Sequence, residues 1–375
     1  MTALSGQRKI RPLPPLRPCR LADVARSAPA VARLAPGQDP HGELRYLWTD
    51  RLPDAFLAED PARLPCPPLE LISLPNVQIR SDWMPYLDGD VIADETIFPA
   101  YARQYYHSGL VDSFNHLPTT RYRDVWAPTY VIAHFNMRTY GHFLLEVLPK
   151  CLIVRELHAM GLKYRVAFPH SLLPFASILK DAFPEISFLI YDDYREGLRL
   201  RTALLPTLPL SPTSHLHDLG VATIKLMTAR LSSGRDPDRR IFIVREGMRS
   251  FRTLQNEREL VAIAAEYGFE PVRPQTMPWA EQVAMFNSAS HVIGEFSSAL
   301  HNTLFCSPAA KVICLNWWLP LQSAVAVSAG HEIGYILPAD GVVTEFKPDW
   351  VETQMFRIDP SIFRERIEQT GLTPT

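Results

Sequence analysis

The chain has 375 residues, of which 47% are hydrophobic and 21% charged, and its formal net charge is −2. That length exceeds one ordinary domain, and the near-neutral balance excludes a general affinity for nucleic acid. No run of about 18 uncharged apolar residues offers a membrane span, and the N-terminus lacks the apolar core of a signal peptide, so a cytoplasmic protein is expected.

Residues 1–70 are proline-rich, with RPLPPLRP at 11–18 and PARLPCPP at 61–68. Proline fixes φ and removes a donor, so little regular structure is expected there. Up to Leu34 this segment carries Arg8, Lys9, Arg11, Arg17, Arg20, Arg26 and Arg33 against only Asp23. Such a run is either a solvated tail or a peripheral contact for anionic lipid headgroups. The five cysteines, Cys19, Cys66, Cys151, Cys306 and Cys314, form no CxxC pair; three lie in apolar runs, as buried thiols do.

Residues 71–231 form the expected first unit, although 70–128 give little pattern. From Tyr130 short apolar runs alternate with longer amphipathic ones. YVIAH (130–134), RVAF (165–168) and FLIYD (188–192) read as strands. Helices are expected over 141–160, disturbed at Pro149, and over 174–183, with a further helical pattern at 216–231. This alternation predicts a parallel sheet covered on both faces.

SSGRDPDRR (232–240) reads as a linker, and 239–350 as a second unit followed by a helical segment over 351–375. Strands are expected at 241–244, 269–272, 291–294 and 311–315, with helices at 256–268, 278–289 and 298–306 between them. The result is a second Rossmann-like half, and α/β sheets bind ligands at the carboxyl ends of their strands.

Three segments carry candidate chemistry. Directly after the strand at 241–244 stand Arg245, Arg249 and Arg252. Fixed guanidinium groups there would stabilise charge building on a departing diphosphate; three solvated arginines before a helix are the plain alternative. GEFSSALHN (294–302) supplies Gly294, which can let the chain turn, and Ser297 and Ser298, which can cap a helix whose N-terminus seats a phosphate. Glu295 in this loop would accept hydrogen bonds from ribose hydroxyls or cap the helix, and Asn302 closes the segment. In YGHFLLEVLP (140–149), His142 and Glu146 are four residues apart and share one helix face. A paired imidazole and carboxylate can take a proton from a hydroxyl, or simply bond each other across one turn. His134, at the end of the preceding strand, is a further candidate.

Together, GHFLLEVLP (141–149), the series Arg245, Arg252, Asn256 and Glu257, the stretch 268–294 and GEFSSALHNTLFCSP (294–308) resemble glycosyltransferase family 61, including its bacterial capsular polysaccharide members. The resemblance covers about 141–315. It implies a GT-B architecture, in which two Rossmann-like lobes face across a cleft and the donor nucleotide lies mainly on the C-terminal one. It also implies inverting transfer from a nucleotide-sugar, probed first as the uridine-linked form, to a saccharide or lipid-linked saccharide. A departure stands at Phe296–Ser297, where the family pattern carries a His-Gly or Tyr-Gly pair. Enzymes of this architecture commonly need no bound metal or other cofactor, and no DxD pair occurs in a suitable loop; Asp192–Asp193 belongs to the first unit. An inactive binding or scaffold protein with the same fold is the main alternative. A hydrolase or epimerase is a third, and an epimerase lacks its GxGxxG turn here.

Overall fold

The computed structural model describes residues 18–19, 30–40, 42–58, 60–94, 97–98, 121–133, 139–208, 216–232, 236–245, 252–316, 320–338 and 354–375. It is a mixed α/β protein built on two large sheets. No helix among the described residues is long and apolar enough to cross a membrane.

The second half follows its apolar pattern closely. Strands Arg239–Ile243, Glu270–Val272, Ala289–Glu295, Lys311–Leu315 and Glu332–Ile336 are all parallel. Numbered in chain order they lie 2-1-3-4-5, a doubly wound arrangement. Successive strand residues point to opposite faces. Ile241, Ile243, Val292, Val312 and Cys314 therefore enter one apolar cluster, while Phe242, Val244, Ile293, Ile313 and Leu315 enter the other. Both faces are buried, which is why these strands read as continuous apolar runs.

Two contributions to this sheet come from far along the chain. Arg45–Tyr46 adds a sixth parallel strand beside Glu332–Ile336. Just after it, Trp48 packs against Gly334: a Cβ there would sit 2.3 Å from Cζ2 of the indole, so only glycine admits the ring. The indole N–H donates to the Tyr335 carbonyl at 3.0 Å. At the other terminus, Pro360–Gln369 forms a helix that packs on Glu257–Ala265 through Phe363 and Ile367. The first 70 residues, expected to be irregular, thus supply strands to both sheets, since Ala30–Ala35 pairs with Leu69–Ile79.

The first half departs from the expected all-parallel sheet. Its ten-stranded sheet is mixed. Thr129–Val131, Arg165–Pro169 and Phe188–Tyr191 are parallel neighbours, as their pattern predicts. Gly197–Pro206 then returns beside Thr129–Val131 and pairs antiparallel with Leu69–Ile79 over most of its length. One apolar cluster runs continuously between the two sheets, and the helix Asp218–Leu231 packs against Trp279–Asn287 of the second half.

The helical run over residues 140–159 carries the expected disturbance, one turn earlier than its cause. Tyr140–His142 and Leu148–Ala159 are α-helical, but Phe143–Val147 is π-helical, with the Leu148 N–H bonded to the Phe143 carbonyl. Pro149 has no N–H for the Leu145 carbonyl, and the helix widens in the turn that loses the bond.

Candidate functional site

In a 2-1-3-4-5 sheet the chain leaves the first and third strands in opposite directions, so a crevice opens at their carboxyl ends. Here those strands are Arg239–Ile243 and Ala289–Glu295, which lie side by side. Arg245 follows the first and Glu295 ends the second. The Arg245 guanidinium donates to Glu295 Oε2 at 3.2 Å, with the two side chains only 16% and 6% exposed. Arg245 is therefore not a solvated loop arginine. Its backbone N–H is also fixed, donating to Glu257 Oε1 at 2.7 Å at the start of the next helix. Glu295, left between a ribose contact and a helix cap by its sequence, lies on the guanidinium.

The segment after Glu295 differs from its expected form. Leu300–Phe305 is a 3₁₀ helix with Ala299 at its N-cap and no side-chain cap bond. Neither Ser297 nor Ser298 caps it, and so short a 3₁₀ turn provides no α-helical dipole to seat a phosphate. Gly294 is not a turn residue either. It lies within the strand, where a Cβ would come within 3.2 Å of the Ile243 side chain. Asn302 is fully buried, and both ends of its amide are held within the protein. Its Oδ1 accepts from the Tyr140 hydroxyl at 2.5 Å, and its Nδ2 donates to Gln282 Oε1 at 3.1 Å. The Trp279 indole N–H in turn donates to the Tyr140 oxygen at 3.1 Å, and burial pushes the Tyr140 phenol well up, so it stays protonated.

The same segment meets the start of the first-half helix. A Cβ on Gly141 would stand 2.8 Å from Cδ2 of His301 and 2.9 Å from Oγ of Ser298, so a bare backbone is what permits the approach. The next residue is His142, whose Nδ1 bonds Glu146 Oε1 at 2.7 Å. His142 is about a quarter exposed and Glu146 nearly buried. His301, bonded to Gln322, has its imidazole pushed down to about 4, chiefly by burial, with opposing influences from the charges of His142 and Glu146. The His142–Glu146 pair is thus within electrostatic reach of the 294–302 segment.

One residue here was missed by the sequence reading. Lys150 lies one further turn along, extending the His142–Glu146 spacing to a third member. It is fully buried, its Nζ donating to the Ile97 carbonyl at 2.7 Å. Burial pushes its ammonium down to about 7, while Glu146 acts in the opposite direction. The repeat of four, His142, Glu146, Lys150, was the available signal.

His134 and Arg249 lie outside the described residues. Arg252 opens a strand, Arg252–Leu254, that pairs in parallel with Gln354–Phe356. Among the described residues no group of three or more His, Cys, Asp or Glu side chains is placed to hold a metal ion.

A doubly wound α/β protein is defined by this geometry, with a buried arginine–carboxylate pair at the switch point and a histidine–glutamate pair on the first-half helix whose start meets Ser298 and His301. Residues 140–313 match the family model described as Glycosyltransferase 61, a span that begins at Tyr140 and includes both pairs. The match supports a transferase of the glycosyltransferase class, which in general takes a nucleotide-sugar donor and a saccharide acceptor. No curated protein matches the chain.

Proposed function

We propose that the protein is an inverting glycosyltransferase with a GT-B arrangement, its donor nucleotide on the second half and its acceptor on the first. One observation carries this reading. The helix start at Gly141–His142 meets Ser298 and His301, in the segment that follows the strand carrying Glu295, the partner of Arg245, so a proton acceptor and a fixed cation belong to two elements in contact.

In this mechanism His142, oriented by Glu146, removes the proton from an acceptor hydroxyl. The freed oxygen attacks the anomeric carbon as the bond to the diphosphate breaks, leaving the proton on the imidazole and the electron pair on the diphosphate. Arg245 stabilises that growing charge, an interaction stronger in the transition state than in the ground state. The resemblance to capsular enzymes supports a bacterial surface polysaccharide as the product. Assembly would take place in the cytoplasm, with the basic N-terminal run as a peripheral contact to the membrane.

A panel of uridine, guanosine, cytidine and thymidine diphosphate sugars, each offered with saccharide acceptors, tests the reading. The expected product is a glycoside of inverted anomeric configuration, formed from the uridine-linked donor. Release of free sugar without acceptor would indicate a hydrolase. Nucleotide binding with no turnover would indicate a binding or scaffold protein.

A further inference from the structure

Asn316 directly follows the Lys311–Leu315 strand, next to Glu295–Phe296 across the sheet. It is 1% exposed, and among the described residues neither its amide nitrogen nor its amide oxygen has a hydrogen-bond partner. Its backbone is left-handed, with φ +69°, and is held there: the Asn316 N–H donates to the Ile336 carbonyl at 2.8 Å, and its carbonyl accepts from Cys314 Sγ. Asparagine tolerates this conformation mainly because its side chain bonds nearby backbone, and here it makes no such bond.

A second orphan lies on the adjoining strand end. Ser297 Oγ is buried without a partner among the described residues, and the Phe296 N–H donates to the Leu315 carbonyl at 3.2 Å, bringing the two strand ends together. Buried polar groups are nearly always bonded, so two neighbouring exceptions at the carboxyl edge of an α/β sheet call for a missing partner.

We infer that the Asn316 amide and the Ser297 hydroxyl form a subsite for the nucleoside part of the donor nucleotide, an inference that rests on the glycosyltransferase reading. The chemistry separates this subsite from the phosphate end. An uncharged amide offers one donor and one acceptor, which suits the hydroxyls of ribose or the imide edge of a pyrimidine, whereas its oxygen repels a phosphate oxygen. Asn316 follows the strand two places from that of Arg245, roughly 10 Å away at about 4.8 Å per strand, which is the span from a diphosphate to its nucleoside. The strained backbone and the unbonded amide are then features of a site made to be completed by its ligand.

Thermal shift and calorimetry with uridine diphosphate, uridine and inorganic pyrophosphate test this on the wild type and on Asn316→Gly and Ser297→Ala. Glycine accepts φ +69° freely, so Asn316→Gly is expected to melt no lower than the wild type when unliganded. It is expected to bind uridine diphosphate at least tenfold more weakly, to lose the uridine response and to keep the pyrophosphate response. Ser297→Ala is expected to fold normally and to weaken uridine diphosphate severalfold. Wild-type affinity for uridine diphosphate in both variants would overturn the inference while leaving the donor site standing, as would equal loss of pyrophosphate. A wild type that no nucleoside diphosphate stabilises would overturn the donor site itself.

Discussion

The Tyr140 hydroxyl is bonded on both sides, donating to Asn302 and accepting from Trp279, so three segments distant in sequence share one oxygen. Tyr140→Phe leaves the Asn302 carbonyl and the Trp279 N–H unpaired in a buried setting. Leaving such groups unsatisfied costs about 1–3 kcal/mol each, and a loss of at least about 2 kcal/mol in urea unfolding is the expected outcome. Wild-type stability would mean that these groups find other partners.

Arg245 separates stability from activity. Arg245→Ala removes the guanidinium partner of the buried Glu295 carboxylate, and removing one partner of such a pair costs about 3–5 kcal/mol. Arg245→Lys keeps the charge but loses the planar fork, so the fold is expected to survive while transfer slows. Loss of one preorganised charge-stabilising donor typically raises a barrier by about 2.7–4 kcal/mol. Wild-type kcat in Arg245→Lys would remove the residue from the phosphate site.

His142→Ala and Glu146→Gln test the base. General-base catalysis contributes roughly 10²- to 10⁴-fold, so His142→Ala is expected to lose transfer on that scale while nucleotide binding is unchanged. Glu146→Gln keeps the shape of the pair but not its charge and is expected to lose less. A folded His142→Ala enzyme that transfers sugar at the normal rate would move the base to another residue, with His134 the first to examine.

Acid should destabilise the fold through two buried histidines. Burial pushes the imidazoles of both His301 and His331 down to about 4, against about 6.5 in an unfolded chain. Between those values the unfolded chain binds more protons, so stability rises with pH. The contribution is complete above pH 6.5 and is lost as pH falls towards 4, up to about 3 kcal/mol per group. Melting temperature should therefore drop across that window. In His331→Gln the drop should be shallower, and an unchanged profile would contradict the burial argument.

Gly334→Ala tests the seat of Trp48. The added methyl would meet the indole ring at 2.3 Å from Cζ2, on a buried strand that cannot move aside. Overpacking of this kind costs typically about 1–3 kcal/mol, and a shift in tryptophan fluorescence should accompany the loss. Retained stability with an unshifted spectrum would mean the ring has room to move.

The second half was legible because its strands are buried on both faces, and runs such as IFIV and KVICL announce that burial directly. The antiparallel centre of the first sheet was legible only in part. Leu198–Arg199–Leu200–Arg201 alternates as a strand should, but Pro75 in its partner breaks the pattern. Arg45–Tyr46 is too short for any periodicity to mark it. At the site, the four-residue spacing put His142 and Glu146 on one helix face, where the two side chains are bonded. The Arg245–Glu295 pair could not be read, because strand adjacency is a property of sheet order rather than of local sequence. Asn316 was invisible for a similar reason, since neither its φ nor its lack of partners leaves a mark in the sequence.

The closing contacts of the second sheet set a schedule for making the protein. Asp50 and Arg366 are ion-paired although they stand 316 positions apart. A ribosome adding about 5–20 residues per second takes roughly 15–60 s to travel between them. For most of that interval the Trp48 side chain has neither Gly334 nor Arg366, whose guanidinium lies 5.0 Å from the indole ring, to cover it, because Glu332–Ile336 has yet to be made. Synthesis of this chain therefore includes a waiting period in which the Arg45–Tyr46 strand has been made and its neighbour in the sheet has yet to be translated.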